Sequence, residues 1–188
     1  MTGENYKIKL NEDLAKLNDE FIALLNTNSK YYFDSVLESV KFMTDKGMGG
    51  VYLTSAHPHD YMMKVFERYN IETKNLFFID TISCMAGKSP GESGNCVFIE
   101  NPAALEEVGM WTSMLLERVG SKDKFLIVDS LSTLLIYNTV EMLKKFSQFS
   151  ITRLRLQGAS GLFVSIDMEI DEGFYDTLAT LCDNIIKV

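Results

Sequence analysis

The sequence predicts an α/β protein in three αβα layers, with a mostly parallel central sheet between two layers of helices. Short apolar strands alternate with amphipathic helical segments along almost all of the 188 residues, and this alternation is typical of a parallel sheet. One strand, KFLIVDS, is apolar without a break, as expected for a strand buried on both faces. The chain length suits one domain. We therefore expect a single domain over residues 1–188, in which residues 1–19 form an N-terminal extension.

The composition indicates a folded, cytoplasmic protein. Hydrophobic residues make up 46% of the chain, which argues against disorder. No apolar run approaches the ~20 residues of a membrane-spanning helix, so no membrane span is expected. The N-terminal segment lacks the basic start and apolar centre of a secretion signal. The three cysteines are scattered, which does not suggest a disulfide framework or a Cys-x-x-Cys metal site.

The charge balance argues against nucleic-acid binding. The formal net charge of −8 produces a field that repels phosphate backbones. Basic residues cluster only weakly, at Lys144, Lys145, Arg153 and Arg155. A nucleic-acid partner is therefore not expected.

The first half of the chain predicts three strands and two helices after the N-terminal extension. In the extension we expect a short strand at Lys7–Leu10 and a helix near Glu12–Leu17. The first clear strand is Phe21–Leu25, the second is VYLTS, and the third is Leu76–Asp80. Apolar residues at helical spacing predict a helix before and a helix after VYLTS. The first has Phe33, Val36, Leu37, Val40 and Met43 and can end at Gly47, and the second starts at Pro58 and has Met62, Val65, Phe66 and Tyr69.

The second half begins with a polar stretch, Cys84–Cys96, that is rich in glycine and serine. It predicts a mobile surface loop and a candidate contact element. A short strand, VFIE, follows, and Asn101 with Pro102 signals the start of a helix. The later segments are a central strand in KFLIVDS, a long helix, the strand LFVSI after Gly158 and Gly161, a helix at Phe174–Leu181, and the strand NIIKV. In the helix after Asn101, the residues predicted to face inward are Leu105, Val108, Leu115, Leu116 and Val119. The long helix contains the apolar residues Val140, Leu143, Phe146 and Phe149.

Taken in order, several segments resemble the RecA-like ATPase core, in particular its KaiC-type branch. FLIVDSLSTLL is similar to a Walker B strand that ends in Asp129 and Ser130. The other segments are VYLTSAHPHDYM, FFIDTIS, NPAAL, ASGLFVSI and CDNIIKV. The resemblance covers residues 21–188 and implies a RecA-like fold. It also implies a phosphate-binding loop after the first strand, and assembly into rings or filaments.

The turn after the first strand departs from the phosphate-binding motif G-x-x-x-x-G-K-S/T. With Lys30 placed on the motif lysine, Leu24 and Ser29 stand at the glycine positions and Tyr31 at the Ser/Thr position. Phosphate loops need glycines so that backbone amides can approach the anion closely. This turn therefore predicts a degenerate Walker A motif. We expect Asn28 or Ser29 to cap the following helix and Lys30 to be solvated.

The acidic pair that KaiC-type ATPases use to polarise water is also missing. The second strand runs into Thr54, Ser55, Ala56 and His57, with no carboxylate before Asp60. Asp129 is then expected to be a buried, hydrogen-bonded structural carboxylate rather than a magnesium ligand. The remnant nucleotide site comprises Asn26, Thr27, Asn28, Ser29, Lys30, Tyr31, Asp129 and Ser130.

Other chemistries fit the sequence less well. The segment His57–Asp60, with Asp80 and Cys84, is the nearest approach to a metal-ligand set. The two histidines need not converge, however, so we predict no metal site. No G-x-S-x-G motif accompanies the serines, which argues against a hydrolase triad. One of the paired tyrosines, Tyr31 or Tyr32, is expected to join the buried face of the helix.

The sequence therefore predicts a catalytically inactive RecA/KaiC-like domain that acts as a regulatory or structural protein-interaction module. Its expected partner is another protein or a second copy, in a ring or dimer, and no cofactor is expected. Two alternatives stay open. The first is a divergent nucleotide-binding ATPase that uses ATP and Mg²⁺ at Ser29, Lys30 and Asp129. The second is an RNA-associated ring subunit similar to the accessory subcomplex of Elongator, whose RecA-like subunits also lack phosphate loops.

Overall fold

The computed structural model describes residues 3–166 and 172–188, and its centre is one sheet of eight strands. The strands are β1 (Ile22–Thr27), β2 (Gly49–Thr54), β3 (Leu76–Asp80), β4 (Gly91–Ser93), β5 (Cys96–Phe98), β6 (Lys124–Asp129), β7 (Ala159–Ile166) and β8 (Asn184–Lys187). Their order across the sheet is β4-β5-β3-β2-β6-β7-β1-β8. All neighbours are parallel except β4 and β5. The predicted mostly parallel sheet is therefore confirmed.

Helices cover both faces of this sheet. They are α1 (Gly3–Ala15), α2 (Tyr32–Asp45), α3 (His59–Arg68), α4 (Leu105–Arg118), α5 (Leu131–Leu134), α6 (Val140–Gln157) and α7 (Glu172–Leu181). Buried side chains from α1, α2 and α3 share one core, and those from α4 to α7 share the other. This arrangement confirms the three-layer fold class. Within the described ranges, no helix combines the length and the hydrophobicity that crossing a bilayer requires.

The strand β6 lies at the centre of the sheet, between β2 and β7. Its side chains alternate between the two cores, because successive residues of a strand point to opposite faces. Phe125 and Ile127 pack under α1 to α3, whereas Leu126 and Val128 pack under α4 to α7. Both faces are buried, which explains the unbroken apolar run in the sequence.

The N-terminal segment forms one helix, so the prediction of a strand at Lys7–Leu10 was wrong. Tyr6, Leu10 and Leu14 are spaced by four residues and are all buried, which places them on one helical face. The Tyr6 ring stacks on the Tyr31 ring with 4.2 Å between centroids, and the Tyr6 hydroxyl donates to Asp34. These contacts attach α1 to the start of α2.

The segment Cys84–Cys96 is more ordered than a surface loop. A 3-10 turn occupies Ser83–Ala86, and β4 pairs antiparallel with β5 at the edge of the sheet. Arg118 of α4 forms an ion pair with Glu92 of β4. The prediction of an unpaired loop was therefore wrong for this edge hairpin, although Gly91–Ser93 is exposed as its polar sequence suggests.

The helix α4 begins later than its sequence signal predicts. Asn101 accepts a hydrogen bond from the amide of Ala103 at 2.9 Å and forms a turn ahead of the helix. The first helical residue is Leu105. The start at Asn101 and Pro102 was wrong by about one helical turn, but the five predicted inward-facing residues of this helix are all buried.

Candidate functional site

The carboxyl ends of the parallel strands meet at one edge of the sheet, where ligands bind in open α/β folds. Thr54, at the end of β2, lies in register with Asp129 at the end of β6. Thr27, at the end of β1, lies in register with Ile166 of β7. The predicted site residues therefore come from two strand ends, β1 and β6, between which β7 lies in the sheet.

The turn after β1 is short, and its amides are engaged within the turn itself. Residues 28–31 are all that connect β1 to α2. The side-chain oxygen of Asn28 accepts hydrogen bonds from the amides of Lys30, at 3.0 Å, and Tyr31, at 3.2 Å. The amide of Asn28 donates to the backbone oxygen of Val188 at 3.2 Å. Asn28 thus caps the turn, but the N-cap residue of α2 is Tyr31, so the prediction that Asn28 or Ser29 caps the helix was wrong. Ser29 and Lys30 are exposed.

Asp129 is fully buried, and both of its carboxylate oxygens accept hydrogen bonds from tyrosines. The Tyr32 hydroxyl, from the first turn of α2, donates to Oδ1. The Tyr52 hydroxyl, from β2, donates to Oδ2. We name these three residues the Asp129–Tyr32–Tyr52 cluster. Asp129 therefore has the structural hydrogen bonds that its sequence position predicts.

The electrostatics of this cluster follow from its burial. Burial raises the pKa of Asp129, because a charged carboxylate loses its hydration. The hydrogen bonds from Tyr32 and Tyr52 and the nearby His57 lower that pKa in part. Burial and the adjacent Asp129 carboxylate hold the pKa of Tyr52 well above its usual range. Tyr52 is consequently a hydrogen-bond donor at neutral pH.

Burial of Asp129 predicts a pH dependence of stability that an asparagine would lack. At pH values below the usual aspartate pKa of 3.8, Asp129 is protonated in both the folded and the unfolded chain. As the pH rises, the unfolded chain loses this proton first, so the free energy of unfolding contributed by Asp129 falls until the pH passes the raised folded-state pKa.

The test compares urea unfolding of the wild type with Asp129→Asn at several pH values between about 4 and 8. The stability of the variant relative to the wild type should rise with pH. A constant difference over this range would contradict the raised pKa.

Ser130 serves as a helix cap. Its side-chain oxygen accepts a hydrogen bond from the amide of Thr133 at 3.1 Å, at the start of α5. The amide of Ser130 donates to Ser55, and the Ser55 hydroxyl donates to the backbone oxygen of Asp129 at 3.0 Å. The Asp129–Ser130 peptide bond is cis. Ser55 thereby joins the ends of β2 and β6.

The carboxylate at the end of β3 is occupied by local donors. Asp80 is fully buried and accepts hydrogen bonds from the amides of His59, Ile82 and Ser83 and from the Ser83 hydroxyl. These contacts fix the start of α3 against the end of β3. Among residues 3–166 and 172–188, no group of three or more histidine, cysteine, aspartate or glutamate side chains could hold a metal ion.

Comparisons with known proteins rest on structure alone. No protein-family model matches the chain, and no curated protein matches its sequence. The flagellar accessory protein FlaH from Methanocaldococcus jannaschii has a TM-score of 0.61 at 12% identity, over 95% of this chain and 75% of its own. The KaiC-like protein PH0186 from Pyrococcus horikoshii OT3 has a TM-score of 0.63 at 11% identity, over 91% of this chain and 72% of its own.

The chain has a KaiC-like, RecA-type fold. A third solved structure of similar fold is the uncharacterized protein PH0321 from Pyrococcus horikoshii, in complex with an unknown peptide. It has a TM-score of 0.73 at 11% identity, over 96% of this chain and 82% of its own. The resemblance that the sequence motifs suggested is confirmed for the fold.

Two residues of the site were not identified from the sequence. Tyr52 stands between the apolar residues Val51 and Leu53 of β2, and Tyr32 was considered only as a helix-face residue. A buried tyrosine needs a partner for its hydroxyl, so a tyrosine inside a central strand signals a nearby acceptor. That signal could have linked Tyr52 to the end of β6, which is the neighbouring strand.

A second surface feature lies between α4 and α6, on the face of the sheet away from Tyr32. It is a cavity of about 570 Å³, which we name the α4–α6 groove. Its floor includes Leu105, Gly109 and Phe146, and its rim includes Met110, Met142 and Phe149. Phe149, one of the apolar residues of the predicted long helix, is 51% exposed.

Proposed function

We propose that this chain is a KaiC-like protein-interaction module that neither holds nor hydrolyses a nucleoside triphosphate. The observation that carries the proposal is the Asp129–Tyr32–Tyr52 cluster. In a phosphate-loop ATPase the corresponding carboxylate serves a magnesium ion that bridges the phosphates. Here both oxygens of Asp129 accept from phenol hydroxyls, and the carboxylate is fully buried.

The turn at residues 28–31 gives separate support. A phosphate loop presents several backbone amides to the anion. In this turn the amides of Asn28, Lys30 and Tyr31 donate to oxygens of the protein itself. A triphosphate would have to displace these hydrogen bonds as well as the tyrosines on Asp129. We therefore regard residues 26–31, Asp129 and Ser130 as a structural remnant of a nucleotide site.

Support for an interaction role comes from the surface. Met110, Met142 and Phe149 are each about half exposed around one apolar groove, and exposed apolar patches commonly mark interaction sites. PH0321 was solved in complex with an unknown peptide, so a chain of similar fold can hold a peptide. The partner is a protein or a second copy of this chain, and no cofactor takes part.

The decisive measurement is isothermal titration calorimetry with ATP or GTP in the presence of Mg²⁺. We expect no binding at nucleotide concentrations up to about 1 mM, because the amides and the carboxylate that would bind the phosphates are already hydrogen-bonded. The molar mass from light scattering should be the same with and without nucleotide. Lys30→Ala serves as a control, since it alters the exposed turn without touching Asp129.

Micromolar binding that is lost in both Lys30→Ala and Asp129→Ala would overturn the proposal in favour of a divergent ATPase. A nucleotide-dependent change in molar mass would do the same. Binding that survives both substitutions would place a nucleotide elsewhere on the protein and would also contradict the proposal.

A further inference from the structure

The α4–α6 groove has a buried apolar floor and an exposed apolar rim. Leu105 and Phe146 are 7% and 5% exposed, whereas Met110, Met142 and Phe149 are 52%, 44% and 51% exposed. Both helices lead into neighbouring parallel strands, α4 into β6 and α6 into β7, so they run in the same direction across the sheet. The groove is therefore a trough between two aligned helices, and methionines on its rim can adapt to an incoming surface.

Gly109 contributes to the depth of this trough. It lies in the middle of α4, where glycine is a poor helix former. A Cβ atom at this position would lie 3.4 Å from the Phe149 ring. Because Gly109 has no side chain, α4 leaves space beside Phe149. Glycine makes the helix less stable at this position than alanine would.

Two cations border the groove. Lys145 and Arg153 both line it, and among the described residues neither lies within ion-pair distance of a carboxylate. The Arg153 side chain donates to Ser113 of α4 at 3.1 Å, and its guanidinium lies 5.6 Å from the centre of the Phe149 ring. The positive charges of Lys145 and Arg153 contrast with the net charge of the whole chain, which is −8. Glu106 lines the end of the groove nearest the start of α4.

We infer that the α4–α6 groove binds one amphipathic helix of a partner protein. The apolar side chains of that helix would fill the space around Gly109 and Phe149, and its acidic side chains would pair with Lys145 and Arg153. This inference rests on the proposed interaction function and specifies its partner. A helix is the expected occupant because a third helix can pack its side-chain ridges between two aligned helices.

Charge complementarity favours an acidic peptide over the other occupants. RNA would also pair with Lys145 and Arg153, but it would leave Met110 and Met142 without apolar contacts. A second copy would bring its own net charge of −8 against this one. Both occupants remain outcomes of the test.

The test measures fluorescence anisotropy of labelled peptides with the full chain. The probes are helical peptides of about 18 residues, with leucines at i, i+3, i+4 and i+7 and glutamates beside them. A second set has the same leucines with lysines in place of the glutamates. We expect the acidic set to bind, and the basic set to bind about tenfold more weakly or not at all, because paired charges set orientation and partner choice.

Variants locate the binding site. Lys145→Glu combined with Arg153→Glu should weaken the acidic peptides about tenfold and improve the basic peptides. Phe149→Ala should weaken both sets about tenfold, since it removes the central aromatic contact. The matched controls are Lys64→Glu combined with Arg68→Glu, which makes the same charge change on α3, and Leu156→Ala, which removes an exposed apolar side chain of α6 outside the groove. All these side chains are exposed, and circular dichroism checks that each variant folds.

Several results would overturn the inference. They are no binding by any acidic peptide, equal binding by wild type and groove variants, binding of tRNA that Lys145→Glu with Arg153→Glu removes, and a dimer that Phe149→Ala dissociates. These results differ from a failure of the proposed function. If the protein bound both nucleotide and peptide, the proposed function would be contradicted and the groove inference would hold. If it bound neither, only the inference of a helix partner would be contradicted.

Discussion

Replacing Asp129 with alanine is expected to destabilise the protein by about 2 to 4 kcal/mol. The substitution removes the acceptor of two tyrosine hydroxyls, and Tyr52 is itself fully buried. A buried donor that loses its partner costs the free energy of its dehydration. Release of the buried carboxylate offsets part of this cost, so the net loss stays below the sum of two unpaired hydroxyls. Urea unfolding at pH 7 measures the change.

Asp129→Asn is the matched control. The amide has nearly the same shape, and its oxygen and nitrogen can each hydrogen-bond to a tyrosine hydroxyl. We expect this variant to lose about 1 kcal/mol or less at pH 7, because burial of a neutral amide costs less than burial of a charge. If alanine were tolerated as well as asparagine, the cluster would not stabilise the fold, and the structural role of Asp129 would be wrong.

Tyr52→Phe measures the contribution of the Tyr52 hydroxyl apart from that of Tyr32. It keeps the ring, which packs against Phe66 and Phe78, and removes only the donor to Oδ2. The carboxylate then keeps the Tyr32 hydrogen bond alone. The variant should lose about 1 to 2 kcal/mol, which is less than Asp129→Ala loses. The same ranking in nucleotide-free and nucleotide-containing buffer would accord with a cluster that stabilises the fold without binding a phosphate.

The sequence predicted the sheet and most helices because their hydrophobic periods are local and long. KFLIVDS, for example, could only be a strand buried on both faces or a buried helical segment, and its length of seven residues favours the strand. The prediction for the N-terminal segment failed because a short local pattern there suggested the wrong structure. Ile8 and Leu10 alternate with lysines over four residues, which is typical of a strand. The helical spacing of Tyr6, Leu10 and Leu14 spans nine residues and decides the structure.

The edge hairpin could not be predicted because its stability is not local. The three residues of β4 are polar and exposed, and they become a strand only by pairing with β5 and by the ion pair from Glu92 to Arg118. Arg118 lies 26 residues further along the chain. Nothing in the composition of Gly91–Ser93 indicates either partner.

The candidate site was predicted in part for the same physical reason. Asp129 was expected to be a structural carboxylate because the glycines of a phosphate loop are missing around Lys30, and that reasoning needs only neighbouring residues. Its donors, Tyr32 and Tyr52, lie 97 and 77 residues away along the chain. The pairing of strands β2 and β6 brings Tyr52 to Asp129, and strand order is not determined by either sequence segment alone.

Replacing Gly50 with alanine is expected to destabilise the protein by about 3 kcal/mol or more. Gly50 is buried in β2, in register with Phe125 of β6. A Cβ atom at this position would lie 2.3 Å from the backbone oxygen of Phe125 and 2.7 Å from its ring. The ring could turn aside, but the carbonyl belongs to the ladder that joins the two strands, so relief requires those strands to separate.

Separation of β2 from β6 should also displace Tyr52 from Asp129, because Tyr52 follows Gly50 by two residues and points to the same face of the sheet. Gly120→Ala is the matched control. Gly120 precedes β6, and no atom lies within 4 Å of the position of its added Cβ. Urea unfolding should therefore show a large loss for Gly50→Ala and almost none for Gly120→Ala. If Gly50→Ala unfolded at the urea concentration of the wild type, the close packing of β2 against β6 would be wrong, and so would the geometry that brings Tyr52 to Asp129.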